Sequence, residues 1–138
     1  MRDGDWLTRA HQRLLVSRQV LSQSYAFAYY MFGGEVPTRP QERASLAVAR
    51  NLFEDQQERL ERHVEHLSKV LTADVPVLPE PEVVRAKQEA ATLVKTVETL
   101  CGELYKCIQE ELLTLLVEPM SIAAYRPDGP DRAKELAA

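Results

Sequence analysis

Leu46–Leu71, LAVARNLFEDQQERLERHVEHLSKVL, decides the fold. Leu46, Ala49, Phe53, Leu60, Val64, Leu67 and Leu71 recur in steps of three, four and seven, which draws one apolar stripe along an α-helix. Charged and amide side chains cover the remaining faces, and neither Gly nor Pro interrupts the stretch. Upstream, Thr38-Arg39-Pro40-Gln41 reads as a capping box. Its proline falls in the first turn, where amides lack intrahelical partners anyway, so the helix should begin near Arg39.

The same period appears on both sides. From Trp6 to Phe32 the apolar positions Leu7, Ala10, Leu14, Leu21, Tyr25, Ala28 and Phe32 draw a first stripe. Asp5 stands as its N-cap, and Gly33-Gly34 supplies a left-handed stop. At its aromatic end, Tyr25, Ala28 and Phe32 are expected to face inward, while Phe27 and Tyr30 point toward another segment or a partner. The prolines Pro76, Pro79 and Pro81 mark a reversing loop. A third stripe follows from Glu82 through Val84, Ala91, Val94, Val97, Cys101, Leu104, Ile108, Leu112 and Leu115, with Glu80 and Glu82 at the end the helix dipole favours and Pro119 closing it.

Strand-like alternation is absent. The expected architecture is therefore all-α, an antiparallel bundle of three long helices over residues 1–119. Residues 120–138 contain Pro127, Gly129 and Pro130 and should form a C-terminal segment that is loosely ordered or docked only through Ile122 and Tyr125.

Composition narrows the function. The chain of 138 residues carries a net charge of −4. Residues 1–72 hold 10 basic against 9 acidic side chains, residues 73–138 hold 7 against 12, and no basic stripe of the kind nucleic acid requires is visible. No apolar run approaches the roughly 20 residues that span a bilayer. The opening Met1-Arg2-Asp3-Gly4-Asp5 has no apolar stretch behind it, so a cytoplasmic chain without membrane contact is expected. Cys101 and Cys107 lie six apart in one helical pattern, on different faces, which predicts reduced thiols.

Catalytic or metal chemistry finds no carrier in the sequence. His63 and His66 share one helix at i, i+3, but two imidazoles do not make a metal site, and neither H-E-x-x-H nor paired E-x-x-H motifs occur. Cys101 and Cys107 sit mid-helix, away from the cation, base or helix N-terminus that would activate a thiol. No cofactor is expected in this chain, nor any catalytic residue.

A family resemblance rests on two blocks. Arg18-x-x-Leu21-x-x-x-Tyr25-Ala26-Phe27-Ala28-Tyr29-Tyr30 is followed by Leu52-Phe53-Glu54-Asp55-Gln56-Gln57-x-x-Leu60-Glu61 and Val64-Glu65-His66-Leu67-Ser68. Residues 12–70 resemble the Ariadne domain of RING-between-RING ubiquitin ligases, in which an aromatic helix end precedes a Phe-Glu-x-x-Gln-x-x-Leu-Glu helix. The third helix corresponds by position and character.

The resemblance implies a regulatory domain in a longer E3 ubiquitin ligase, whose neighbouring RING domains carry the zinc and whose Rcat domain carries the active cysteine. Such a domain packs on Rcat and occludes that cysteine until a neddylated cullin-RING complex relieves the autoinhibition. By resemblance Phe53 and Glu54 contact Rcat, and a further acidic contact falls at Glu98 or Glu103, with Glu98 preferred. The apolar stripe, read alone, makes Phe53 core and leaves Glu54 a solvated acid. Departures from the family pattern point first to a giant cullin carrying its own RING-between-RING module as the parent, with a stand-alone Ariadne ligase as the other candidate. The alternative function is a helical scaffold that recruits a protein partner through Phe27 and Tyr30 without inhibiting anything.

Overall fold

A computed structural model describes residues 5–33, 38–72, 79–116 and 122–127. Three helices account for most of them: α1, Asp5–Phe32; α2, Arg43–Thr72; and α3, Glu80–Cys107. A 3-10 turn, Pro40–Glu42, leads into α2, and α3 runs on through a π turn, Ile108–Leu112, and a 3-10 turn, Leu113–Leu115. Among the described residues the sole β pairing is one antiparallel bridge between Thr38 and Leu116. This is the all-α antiparallel bundle that the three stripes predict.

Contact order gives the directions. Along the α1–α2 seam, Arg18 meets Ser68, Tyr25 meets Glu61 and Phe27 meets Phe53, so these helices run antiparallel. Between α2 and α3, His66 meets Glu89, while Thr38 and Leu116 pair at the other end. The α2 stripe is buried as expected, from Ala49 through Phe53, Leu60, Val64 and Leu67 to Leu71, with Leu46 half-buried at its start. Gln57 occupies the seven-residue gap between Phe53 and Leu60 and is buried too.

The other two stripes are buried over most of their expected positions and depart from them at a few. In α1 the seam runs through Ala10, Leu14, Ser17, Val20, Leu21, Ser24 and Met31. Tyr25, expected inside, is 45 % exposed, whereas Phe27, expected outside, packs against the core. The reason lies in Ser17 and Ser24: their hydroxyls donate to the Leu14 and Leu21 carbonyls of their own helix, so two nominally polar residues are buried satisfied. Being small, they present little bulk on the face α1 turns toward its neighbours. In α3 the buried set is Ala90, Leu93, Val97, Leu100, Cys101, Leu104 and Cys107, while Val84 and Ala91 are exposed. The π turn then widens the helix, so that Ile108, Leu112, Leu113, Leu115 and Leu116 are all buried in a stretch that a regular helix would turn partly to solvent.

Helix ends differ as well. The start of α2 uses no capping box: Arg39 is the N-cap of the leading 3-10 turn, without a side-chain cap bond, and Thr38 pairs with Leu116. Arg39 instead donates from its backbone to the Leu115 carbonyl (3.4 Å) and from its guanidinium to that of Thr114 (2.8 Å), tying the start of α2 to the end of α3. Asp5 lies within the first turn of α1. Gly33 is not left-handed; it continues the helix, its amide donating to the Tyr29 carbonyl at 2.9 Å, and a Cβ there would come within 2.5 Å of the same oxygen. Gly34 and Pro119, expected to stop α1 and α3, lie outside the described residues, and α3 is already broken by its π and 3-10 turns before Leu116.

Candidate functional site

Phe53 is fully buried, with no exposed surface, and its ring is clasped by two rings from the end of α1. Phe27 lies 5.8 Å away, tilted by 57°, and Phe32 lies 5.9 Å away, tilted by 58°. Such tilted pairs align ring edges with ring faces and add attraction beyond area burial. Its side chain meets α1, not solvent.

Glu54, the next residue, turns outward and is half exposed. Its carboxylate accepts from Arg50 Nε at 2.8 Å. The same guanidinium lies 4.9 Å from the centroid of Phe32, within range of a cation–π contact. A continuous series of contacts therefore runs from Phe53 to Phe32, to Arg50, to Glu54. The buried ring sets where Phe32 lies, Phe32 seats the arginine, and the arginine orients the acid.

Glu98 sits apart from this cluster. Its carboxylate pairs with Arg13 Nε at 3.0 Å, and both side chains are largely covered. Glu103, its rival for the third contact, is exposed. The cluster around Glu54 is built against Phe32 and that around Glu98 against Arg13, which are 19 residues apart on one uninterrupted helix, or about 28 Å at 1.5 Å per residue. The fold does not gather the three predicted residues into one pocket. A partner touching both Glu54 and Glu98 must lie along most of α1.

Sequence reasoning missed the residues that surround Glu98. Arg13 Nη1 also donates to the Pro127 carbonyl at 2.6 Å, and Gln109 Nε2 donates to the Ile122 carbonyl at 3.0 Å. Tyr125 sets its ring edge against Tyr105, centroids 5.5 Å apart, and lies beside Cys101. Ile122 and Tyr125 both pack on the core. The docking residues were legible as isolated apolar side chains; the polar clasps to Arg13 and Gln109 carry no sequence period.

Burial pushes the Cys101 thiol up to about 12 and the Cys107 thiol up to about 11, with Glu98 and Glu111 adding to the respective shifts. Both are free and buried. Among the described residues no three His, Cys, Asp or Glu side chains converge on a point where a metal would sit. His63 Nδ1 is hydrogen-bonded to the Arg59 carbonyl at 2.8 Å, and His66 Nε2 to Glu89 at 2.9 Å, so the two rings serve separate contacts. No helix among the described residues is long and apolar enough to cross a membrane.

The scaffold surface also changes. With Phe27 packed inward, the exposed aromatics at the end of α1 are Tyr29, 80 % exposed, with Tyr25 and Tyr30 about half so. Tyr25 donates to Glu61 across the α1–α2 seam at 2.7 Å.

Comparison with known proteins accords with these features. The Ariadne domain family model matches residues 1–138. The chain is 40 % identical over 138 residues to "Probable E3 ubiquitin-protein ligase ARI3" of Arabidopsis thaliana, covering 99 % of this chain and 26 % of that protein. It is 40 % identical over 139 residues to "Probable E3 ubiquitin-protein ligase ARI1" of the same plant, covering 98 % and 23 %, and 38 % identical over 136 residues to "Probable E3 ubiquitin-protein ligase ARI2", covering 98 % and 23 %. The chain thus spans about a quarter of the length of the curated relatives it matches. No solved structure matches. A bundle of three long helices, a Phe-Glu pair on the second of them and a family match from end to end place the chain in the Ariadne domain family.

Proposed function

We propose that this chain is the non-catalytic regulatory domain of a RING-between-RING E3 ubiquitin ligase of the stand-alone Ariadne type. It packs on the Rcat domain of the same ligase, occludes its active cysteine and releases it when a neddylated cullin-RING complex binds. The zinc of such a ligase resides in its RING domains, outside this chain, and the whole acts in the cytoplasm.

The observation that carries the reading is the arrangement around Glu54, an outward-facing acid held by Arg50 over a clasp of three phenylalanine rings, in a chain matched throughout by the Ariadne family model. Phe53 acts from beneath by fixing this clasp, and Glu54 is the side chain that meets the partner. Glu98 contributes once its pairing with Arg13 is broken. The raised thiols of Cys101 and Cys107 support a domain that transfers no ubiquitin itself, since a protonated thiol is a poor nucleophile. An interface differing by a few kcal/mol between closed and open states suffices for such control.

The test adds the purified chain to the matching Rcat domain and follows discharge of ubiquitin from its cysteine. Wild type slows discharge, and Glu54→Ala slows it less. A second reading, recruitment without inhibition, is favoured by the exposed Tyr29 and Tyr30. Binding to Rcat without slower discharge, or equal inhibition by Glu54→Ala, would select it.

A further inference from the structure

Ile122–Pro127 crosses the bundle and joins its third helix to its first. The Ile122 carbonyl takes a hydrogen bond from Gln109, at the π turn that continues α3. Tyr125 lies on α3 itself, edge-on to Tyr105, with its ring 4.0 Å from where a Cβ on Gly102 would stand. The Pro127 carbonyl then takes a hydrogen bond from Arg13 of α1. Arg13 therefore meets both this segment and Glu98.

We propose that Ile122–Pro127 is a detachable strap that holds Arg13 on Glu98 and so competes with a protein partner for that carboxylate. The inference rests on the reading of Glu98 as a partner contact and adds its regulation. Three features argue for a segment that releases. None of its six residues is fully buried: Ile122 and Tyr125 are half-buried and the other four are exposed. It contains no helix or strand of its own, and segments with few buried contacts occupy the low end of local stability. Its anchors lie on two different helices, so partner binding that turns α1 or withdraws Arg13 loosens it.

The competition has a direction. While the strap is closed, the Glu98 charge is satisfied internally and a partner must displace Arg13; once the strap is open, the acid is available. Removing Arg13 or the Tyr125 ring therefore raises affinity for a basic partner surface at Glu98, although neither change creates a contact. A partly exposed ion pair of this kind contributes no more than about 1 kcal/mol, so the gain should be about three- to five-fold in affinity.

The experiment measures binding of the full chain to the Rcat domain for wild type, Arg13→Ala, Tyr125→Ala, Tyr125→Ala with Glu98→Gln, and Glu54→Ala. Amide hydrogen exchange of residues 122–126 is followed in parallel. Faster exchange in Tyr125→Ala, tighter Rcat binding by both Arg13→Ala and Tyr125→Ala, and loss of that gain with Glu98→Gln are expected. Unchanged affinity in the two strap variants, with Glu54→Ala weakened, overturns the strap and leaves the docking reading standing. Exchange unaltered in Tyr125→Ala overturns the strap as well. Absence of Rcat binding by any variant, wild type included, overturns both.

Discussion

Gln57 Nε2 donates to Ser24 Oγ at 2.9 Å inside the seam between α2 and α1, and both residues are buried. Ser24 Oγ in turn donates a hydrogen bond to the Leu21 carbonyl, so the pair forms a short relay in an otherwise apolar interface. Removing one partner strands the other. Ser24→Ala leaves a buried amide donor without its acceptor and should destabilise the domain by about 1–3 kcal/mol. Adding Gln57→Leu, which deletes the orphaned group, should restore most of the loss; urea unfolding followed by helical circular dichroism reads both. Equal stability of the single and double variants would mean that the relay contributes nothing.

The clasp around Phe53 separates folding from function in a way that bears on any test of the Phe-Glu pair. Phe53 has no exposed surface and two ring neighbours, so Phe53→Ala opens a cavity and should cost about 3–5 kcal/mol. Glu54→Ala removes a half-exposed helix-surface pair and should cost under about 0.5 kcal/mol. Inhibition lost in Phe53→Ala therefore reports unfolding as readily as docking, and Glu54→Ala is the informative variant. Thermal unfolding of the two single variants checks the contrast, with similar melting temperatures as the result that would contradict it.

The α2 face was legible in the sequence because its seven stripe residues are apolar and recur in steps of three, four and seven. The α1 face was legible at Ala10, Leu14 and Leu21 but not at Ser17 and Ser24, whose hydroxyls are satisfied by their own helix, a device that a hydrophobic period does not register. The α3 stripe holds from Val97 through the π turn to Leu115 and departs at its start, where Val84 and Ala91 are exposed. Of the candidate site, the Phe-Glu pair was visible as a motif, while its supporting arginine and the strap over Glu98 depend on contacts between residues as distant as Arg13 and Pro127. Such pairings leave no local mark.

Gly33 offers a test of backbone packing at the end of α1. A Cβ at this position would stand 2.5 Å from the Tyr29 carbonyl oxygen, closer than any real contact. Gly33→Ala must therefore displace the last turn, which carries Phe32 and with it the seat of Arg50. A loss of about 1–2 kcal/mol is expected, accompanied by a chemical-shift change at Arg50 Nε in NMR spectra. A stable variant with an unmoved Arg50 signal would show that the turn accommodates the methyl.

The buried thiols make stability depend on alkaline pH. A cysteine thiol has an ordinary value of 9.0, and burial raises Cys101 to about 12 and Cys107 to about 11 in the folded state. Below pH 9 both thiols are protonated whether the chain is folded or unfolded, and their contribution is constant. Above pH 9 the unfolded chain loses these protons first and is stabilised by doing so, which lowers the free energy of unfolding as pH rises. For Cys107 the decline extends to about pH 11, and for Cys101 to about pH 12, beyond which the folded thiols ionise too. Cys101→Ala should therefore flatten the fall in stability between pH 9 and 11 relative to wild type, measured as urea midpoints at successive pH values. Cys101 carries the larger shift, so its removal should flatten the curve more than Cys107→Ala does; the reverse order would place the stronger desolvation at Cys107.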